Sequence, residues 1–247
     1  MNAAPADQIR LLDLQAIDAK LDQLAHKRRS LPEHAEIDKA TADHTALKSL
    51  VVAAEAQLSD TSRELTKAEQ DVEQVRARST RNQERMDSGS VTSAKDLENL
   101  QHENGSLTKR QADLEDVVLE VMERLESAQT RVTELTARLE HSTVVLEEAV
   151  ARRDAAFAEI DVEVAKVARD RETVVAVIPA DLLKLYTRLR EQQGGVGAAR
   201  LYQRRCEGCR VEFSTNDLNA IKAEPKDAVV RCENCGRILV RTADSGN

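Results

Sequence analysis

Two long runs of heptad-spaced apolar residues flank one glycine-containing turn, and two Cys-x-x-Cys pairs follow near the C-terminus. Together they predict a mainly α fold, a long antiparallel coiled-coil hairpin with a small C-terminal β-rich zinc ribbon. Composition agrees. Of 247 residues, 32% are charged, 2% are aromatic and none is Trp, which suits long helices and cannot fill a large mixed core. The expected division is a kinked hairpin over residues 1–178, with its tip near 87–94, then a linker helix and the C4 zinc ribbon over 179–247.

The first arm begins with Leu14, Ile17, Leu21 and Leu24 in 3-4 spacing, predicting a helix over about 8–29. Ser30-Leu-Pro-Glu33 interrupts it, because proline is tolerated in a first helical turn and not in an interior. From about 32 the stripe resumes through Ile37, Ala40, His44, Leu47, Val51, Ala54, Leu58, Thr61, Leu65, Ala68, Val72 and Val75, then fades through Ser79 and Asn82 to Met86. The polar segment Asp87–Ala94 breaks the chain, and Ser93 with Asp96 resembles a capping box for the next helix. The return arm keeps one register from Leu97 to Val174. Seventeen of its 23 core positions are Leu, Val, Ile or Ala; the exceptions are Asn104, Gln111, Ser142, Arg153, Glu163 and Asp170.

The arms match in length, each roughly 120 Å at 1.5 Å per residue. Equal arms about a short turn fold most simply into an antiparallel hairpin, with a parallel dimer of separate helices as the competing arrangement. The hairpin register expected from the turn pairs positions whose numbers sum to about 183. It places Leu58 beside Leu125, Val51 beside Val132, Leu65 beside Val118, Val72 beside Gln111 and Ser79 beside Asn104.

Pro179 stops the return arm, and Asp181–Gln193 reads as a short amphipathic helix ended by Gly194-Gly195. Strands are expected at 198–205, 210–214, 228–232 and 237–241, with a small helix at 215–224 capped by Ser214 or Thr215.

The metal reading rests on Cys206-Glu-Gly-Cys209 and Cys232-Glu-Asn-Cys235, with 22 residues between the pairs. Cysteines three apart on a tight knuckle aim both sulfurs at one ion, and two knuckles complete a tetrahedron. The spacing therefore calls for one structural Zn²⁺ per chain, held by Cys206, Cys209, Cys232 and Cys235. Gly208 and Gly236 relieve the backbone at the knuckles. Disulfides would need an oxidising compartment, and a thioredoxin-like redox hook would need a βαβ context.

Charge divides unevenly. Residues 1–178 carry a net −11 and residues 179–247 a net +3, and nine of the twelve cations in the latter are arginines. The acidic arm should repel nucleic acid, while the ribbon offers a local arginine surface. The opening segment turns amphipathic and charged at once, and the run Val174–Ile178 is far too short to span a bilayer, so a cytoplasmic protein without membrane contact is expected.

Several pieces carry a resemblance. They are Lys95-Asp-Leu-Glu-Asn-Leu-Gln-His-Glu103, Leu114-Glu-Asp116 with Met122-Glu123, Ile178-Pro-Ala-Asp-Leu182 with Tyr186 and Arg190, Gly194-Gly-Val-Gly197, and the two cysteine hooks, the second extending as Cys232-Glu-Asn-Cys-Gly-Arg-Ile-Leu239. With them the sequence resembles the bacterial C4-type zinc ribbon proteins with a long N-terminal coiled coil. Better-known members look like regulators of flagellar gene expression that bind a flagellin messenger RNA and the nitrogen-type sigma factor. That role is not carried over, since nothing in the sequence marks a motile organism. The resemblance implies zinc on all four cysteines and a nucleic-acid- or transcription-associated adaptor. The excess of 25 Arg over 11 Lys suggests a high-GC, actinobacterial source.

Two functional classes follow. The first is a non-enzymatic adaptor that binds RNA or DNA, with Arg204, Arg205, Arg210, Lys222, Arg231, Arg237 and Arg241 as candidate phosphate contacts. The second is a protein-interaction scaffold, in which the coil binds a transcription-associated or other cytoplasmic partner and the ribbon is purely structural. An enzyme is not expected. Four thiolates leave zinc no open position for water, and no phosphate loop or nucleophile motif is present, so neither a catalytic residue nor a small-molecule substrate is assigned.

Overall fold

The computed structural model describes residues 1–245. In chain order the elements are α1 (Pro5–Arg29), α2 (Pro32–Asp87), α3 (Ala94–Val175), α4 (Ala180–Gln192), β1 (Ala198–Tyr202), β2 (Arg205–Cys206), α5 (Thr215–Ala223) and β3 (Ile238–Arg241). No helix among them is long and apolar enough to cross a membrane.

Helix boundaries fall where the side chains ask for them. Ser30 ends α1 by returning its hydroxyl to the His26 carbonyl at 2.9 Å, and Pro32 opens α2. At the tip, Gly89 takes a left-handed backbone with φ 66°, and the Ser93 hydroxyl accepts from the Asp96 amide at 3.4 Å, at the start of α3.

The chain forms two compact units, Ala35–Val150 and Met1–His34 with Ala151–Asn247. The coil unit, Ala35–Val150, is an antiparallel pair of helices. All fifteen expected seam positions of α2, from Ile37 to Met86, are buried or half-buried, and along α3 only Leu97 and Asp170 of the 23 are exposed.

The register differs from the expected one. Val51, Ala54 and Leu135 form a cluster with Leu47, Val132 and Leu139, which are the layers Leu47/Leu139, Val51/Leu135 and Ala54/Val132, whose numbers sum to about 186. Asn104 Nδ2 accordingly meets Gln83 Oε1 at 3.5 Å, and Arg124 pairs with Glu64 at 2.9 Å. Because α3 is apolar at both of its seam rows, a slip of three residues exchanges one apolar row for the other. Heptad spacing alone does not choose between them. The observed register brings Asn82 level with Asn104, two buried amides near the tip.

The ribbon unit joins α1 to the C-terminal elements. Leu11, Leu14, Leu182, Tyr186 and Ile238 are fully buried in one cluster. Residues read as the first stretch of a coil arm thus cover α4 and the sheet. The 3-4 spacing defined the apolar face of α1 and left its partner open. The sheet has the order β2-β1-β3, with β1 antiparallel to β2 and parallel to β3, in the register Ala198↔Ile238. The N-terminal residues add to this unit: the Ala3 amide donates to Asp227 O at 2.7 Å and the Val229 amide to Met1 O at 3.1 Å. The expected strands at 210–214 and 228–232 shrink to isolated bridges, Arg205↔Glu212, Asn2↔Ala228 and Arg231↔Ile238. Within them, the Arg210 and Cys232 amides turn to the knuckles, while the Val229 amide goes to the N-terminal segment.

Candidate metal centre

Four thiols meet where the two hooks face each other. All four sulfurs lie within 4.8 Å of one another, with Cys206–Cys235 at 4.0 Å and Cys209–Cys232 at 3.9 Å. Tetrahedral zinc at Zn–S of about 2.3 Å sets sulfurs about 3.8 Å apart, whereas a disulfide would need about 2.05 Å. The site fits one structural zinc. With four protein ligands the ion is closed to water.

The knuckles repeat one backbone design. The Arg210 amide donates to Cys206 O and the Gly236 amide to Cys232 O, both at 2.7 Å; the Cys206 amide reaches Val211 O at 3.0 Å and the Cys232 amide Arg237 O at 2.9 Å. The residue after each hook's second cysteine is left-handed, with φ 62° at Arg210 and 73° at Gly236. Gly236 meets this demand without cost, and Arg210 carries strain of about 1 kcal/mol or more. Gly208 has another reason than backbone relief. A Cβ there would come within 2.8 Å of Arg237 Cδ and 2.9 Å of Ala199 Cβ.

Without metal the two buried thiols, Cys206 and Cys232, resist ionisation. Burial pushes Cys206 up to about 12, and the neighbouring Cys232 and Cys235 add to the rise. Burial likewise raises Cys232. Burial also opposes ionisation at Cys235, yet hydrogen bonds from Arg237 and from the Cys232 and Cys209 thiols bring it down to about 7. Zinc entry therefore displaces protons, and zinc supplies the charge that lets the thiolates coexist. Leu201, Phe213, Leu218 and Leu239 pack beneath the cysteines. Of the two expected caps, Ser214 and Thr215, Ser214 caps α5, in a capping box closed by Asp217.

The seven cationic candidates separate into two groups. Arg241 donates to the carbonyls of Ile221, Glu224, Pro225, Lys226 and Ala228 at 2.6–3.2 Å, and Arg237 to those of Val196 and Gln193 at 3.0 and 2.8 Å. Both forks hold loops in place. Arg231 donates to Gly236 O at 2.8 Å and is exposed beyond that bond. Arg204 touches Thr215 Oγ1 at 3.3 Å. Arg205, Arg210 and Lys222 are exposed, with no side-chain partner among the described residues.

A second polar constellation escaped residue-by-residue reading. Asp18, 2% exposed, accepts from Arg171 at 2.6 Å and from the Tyr186 hydroxyl at 2.7 Å, with Arg190 Nε at 3.4 Å. Gln15 Oε1 accepts from the Gly197 amide at 2.8 Å while its amide reaches Gly195 O at 2.9 Å. A Cβ on Gly197 would lie 2.6 Å from Tyr186 O. These bonds explain why Tyr186, Arg190 and Gly194–Gly197 occur together. Burial first, then the Asp18 hydrogen bond, hold the Tyr186 hydroxyl well above the ordinary tyrosine range. The signal available in the sequence was Tyr186 and Arg190 at i, i+4 on an amphipathic helix; nothing marked Asp18 as their partner.

Comparison with known proteins agrees with this architecture. Residues 14–194 match the CT398-like coiled coil hairpin domain and residues 205–239 the C4-type zinc ribbon domain. An uncharacterized protein of Mycobacterium tuberculosis is 38% identical over 241 residues, 98% of each chain. A solved structure from Mycobacterium smegmatis superposes with a TM-score of 0.86 at 35% identity, covering 98% of this chain and all of that one. CT398 from Chlamydia trachomatis, at 18% identity and a TM-score of 0.70 over 96% and 98% of the two chains, shares the fold. The mycobacterial relatives agree with the actinobacterial affinity suggested by the arginine bias. The chain belongs to the family of CT398-like coiled-coil hairpin proteins that carry a C-terminal C4-type zinc ribbon.

Proposed function

We propose that this protein is a non-enzymatic cytoplasmic adaptor associated with gene expression, whose ribbon binds RNA or DNA along the first knuckle. One observation carries the reading: Arg204, Arg205 and Arg210 are exposed together around Cys206 and Cys209, with Arg204 and Arg210 presented from left-handed backbone positions. Guanidinium forks suit phosphate oxygens, and Lys222 and Arg231 extend the same chemistry. Base stacking plays little part. Phe213 is buried and Tyr202 is 37% exposed with the Arg200 guanidinium over its ring, so the interface is electrostatic. Zinc holds the knuckle and does no chemistry.

The test is fluorescence anisotropy with single-stranded RNA and DNA across a salt series. Arg204→Glu with Arg205→Glu should weaken binding sharply and flatten its salt dependence. Unchanged affinity overturns the nucleic-acid reading. A specific observation supports the second reading, a protein-interaction scaffold: Leu119 and Met122 stand 59% and 49% exposed on the coil. Pull-down with and without nuclease separates the two, because a protein partner held by the coil survives nuclease.

A further inference from the structure

On one side of the coil unit, α2 and α3 leave a groove of about 700 Å³. Ala46, Leu47 and Ala137 line it, and Leu50 and Val145 stand at its rims, 46% and 43% exposed. Leu50 and Val145 are outside the seam, so the hairpin does not need them apolar. Asp43 on α2 and Arg138 on α3 border the same groove. Helical periodicity places exposed Lys39 on the α2 wall and exposed Glu148 on the α3 wall. None of these four charged side chains has a partner among the described residues.

We propose that this groove is a self-association surface, in which a second copy of the chain docks about a two-fold axis parallel to the coil and the two hairpins form a four-helix bundle. The register carries the argument. With level positions summing to about 186, Lys39 lies level with Glu148, Ala40 with Val145 and Leu50 with Ala137, and Asp43 lies within two turns of Arg138. The two walls are therefore complementary at three levels, Lys39 to Glu148 in charge and Leu50 to Ala137 and Val145 to Ala40 in size. A two-fold axis along the coil lays each copy's α2 wall on the other copy's α3 wall at the same height. Lys39 then meets the other copy's Glu148, Leu50 covers Ala137 and Val145 covers Ala40, while Asp43 lies within two turns of the other copy's Arg138. Antiparallel docking about the groove centre would press Lys39 onto Leu50 and leave the charges unmatched. The alanines permit the close helix approach, near 8 Å between axes, that small contact residues allow. This inference goes beyond the ribbon's nucleic-acid reading and is independent of it.

Sedimentation velocity on the full, zinc-loaded chain should show a concentration-dependent dimer. Leu50→Glu with Val145→Glu should weaken it at least tenfold, since each buries a charge against an apolar surface, while the helical circular dichroism is kept. Should that pair impair folding, charge exchange gives the same test: Lys39→Glu weakens the dimer and Lys39→Glu with Glu148→Lys restores it. Mixing Leu50→Cys chains with Ala137→Cys chains should give a mixed disulfide. A monomer at every concentration, no rescue by the charge exchange, or self-crosslinking of Leu50→Cys in preference to the mixed species would each overturn the proposal.

Discussion

The two compact units bury their side chains to different depths. In the coil unit Val51, Ala54 and Leu100 each remain 8% exposed, and even Leu135 keeps 2%. In the ribbon unit Leu11, Leu14, Leu182, Tyr186 and Ile238 reach 0%. A pair of helices has one seam open to solvent on both flanks, so its stability is spread over many shallow layers. The ribbon unit has few residues per element and concentrates its stability in a metal, one buried carboxylate and a handful of fully covered side chains. Damage to the coil should therefore stay local, whereas damage to the ribbon unit should propagate through it.

The largest expected effect is loss of a zinc ligand. Cys206→Ser should abolish stoichiometric zinc and unfold the ribbon, because structural zinc sites contribute about 10–16 kcal/mol in small modules. The far-ultraviolet helical signal should change little; metal analysis beside circular dichroism checks both. Next comes Asp18→Ala, which leaves Arg171 and Arg190 without their shared carboxylate. A loss of about 3–5 kcal/mol in denaturant unfolding is expected, and a loss under 1 kcal/mol would make the network ornamental.

The same network predicts a pH dependence. Folding raises the Tyr186 hydroxyl above its unfolded value, so its contribution is complete below about pH 10 and declines as the pH climbs beyond that. Tyr186→Phe should flatten the alkaline limb of the stability profile. In the coil, Asn82→Leu with Asn104→Leu should stabilise the tip by about 1–2 kcal/mol, since Asn82 Nδ2 and Asn104 Oδ1 are buried without partners. Hydrogen exchange of the tip amides would report it. The smallest effect belongs to Arg210→Gly, which relieves a left-handed residue and should stabilise the ribbon by about 1 kcal/mol while removing one of the proposed phosphate contacts.

The seam rows, the break at Pro32, the ribbon helix and its cap, and the four thiols were legible because each depends on local spacing. The partner of α1 was not. Leu11 and Leu14 specify an apolar face, and only the fold decides that this face covers α4 and the sheet. The register slipped for a related reason, α3 being apolar on both rows. Charge type was legible and charge role was not: Arg204 and Arg241 look alike in sequence, yet one faces solvent and the other is held by five carbonyls. Asp18 reads as one more surface acid among 44 Asp and Glu residues.

Hydrogen exchange by mass spectrometry on the wild-type chain, with zinc and after chelation, tests most directly whether the metal organises one region alone. Chelation should remove protection from the amides of β1, β2, α5 and β3 and leave residues 35–150 unchanged, with readdition of zinc restoring the pattern. Protection lost throughout the coil, or kept in the ribbon after complete removal of zinc, would contradict the account.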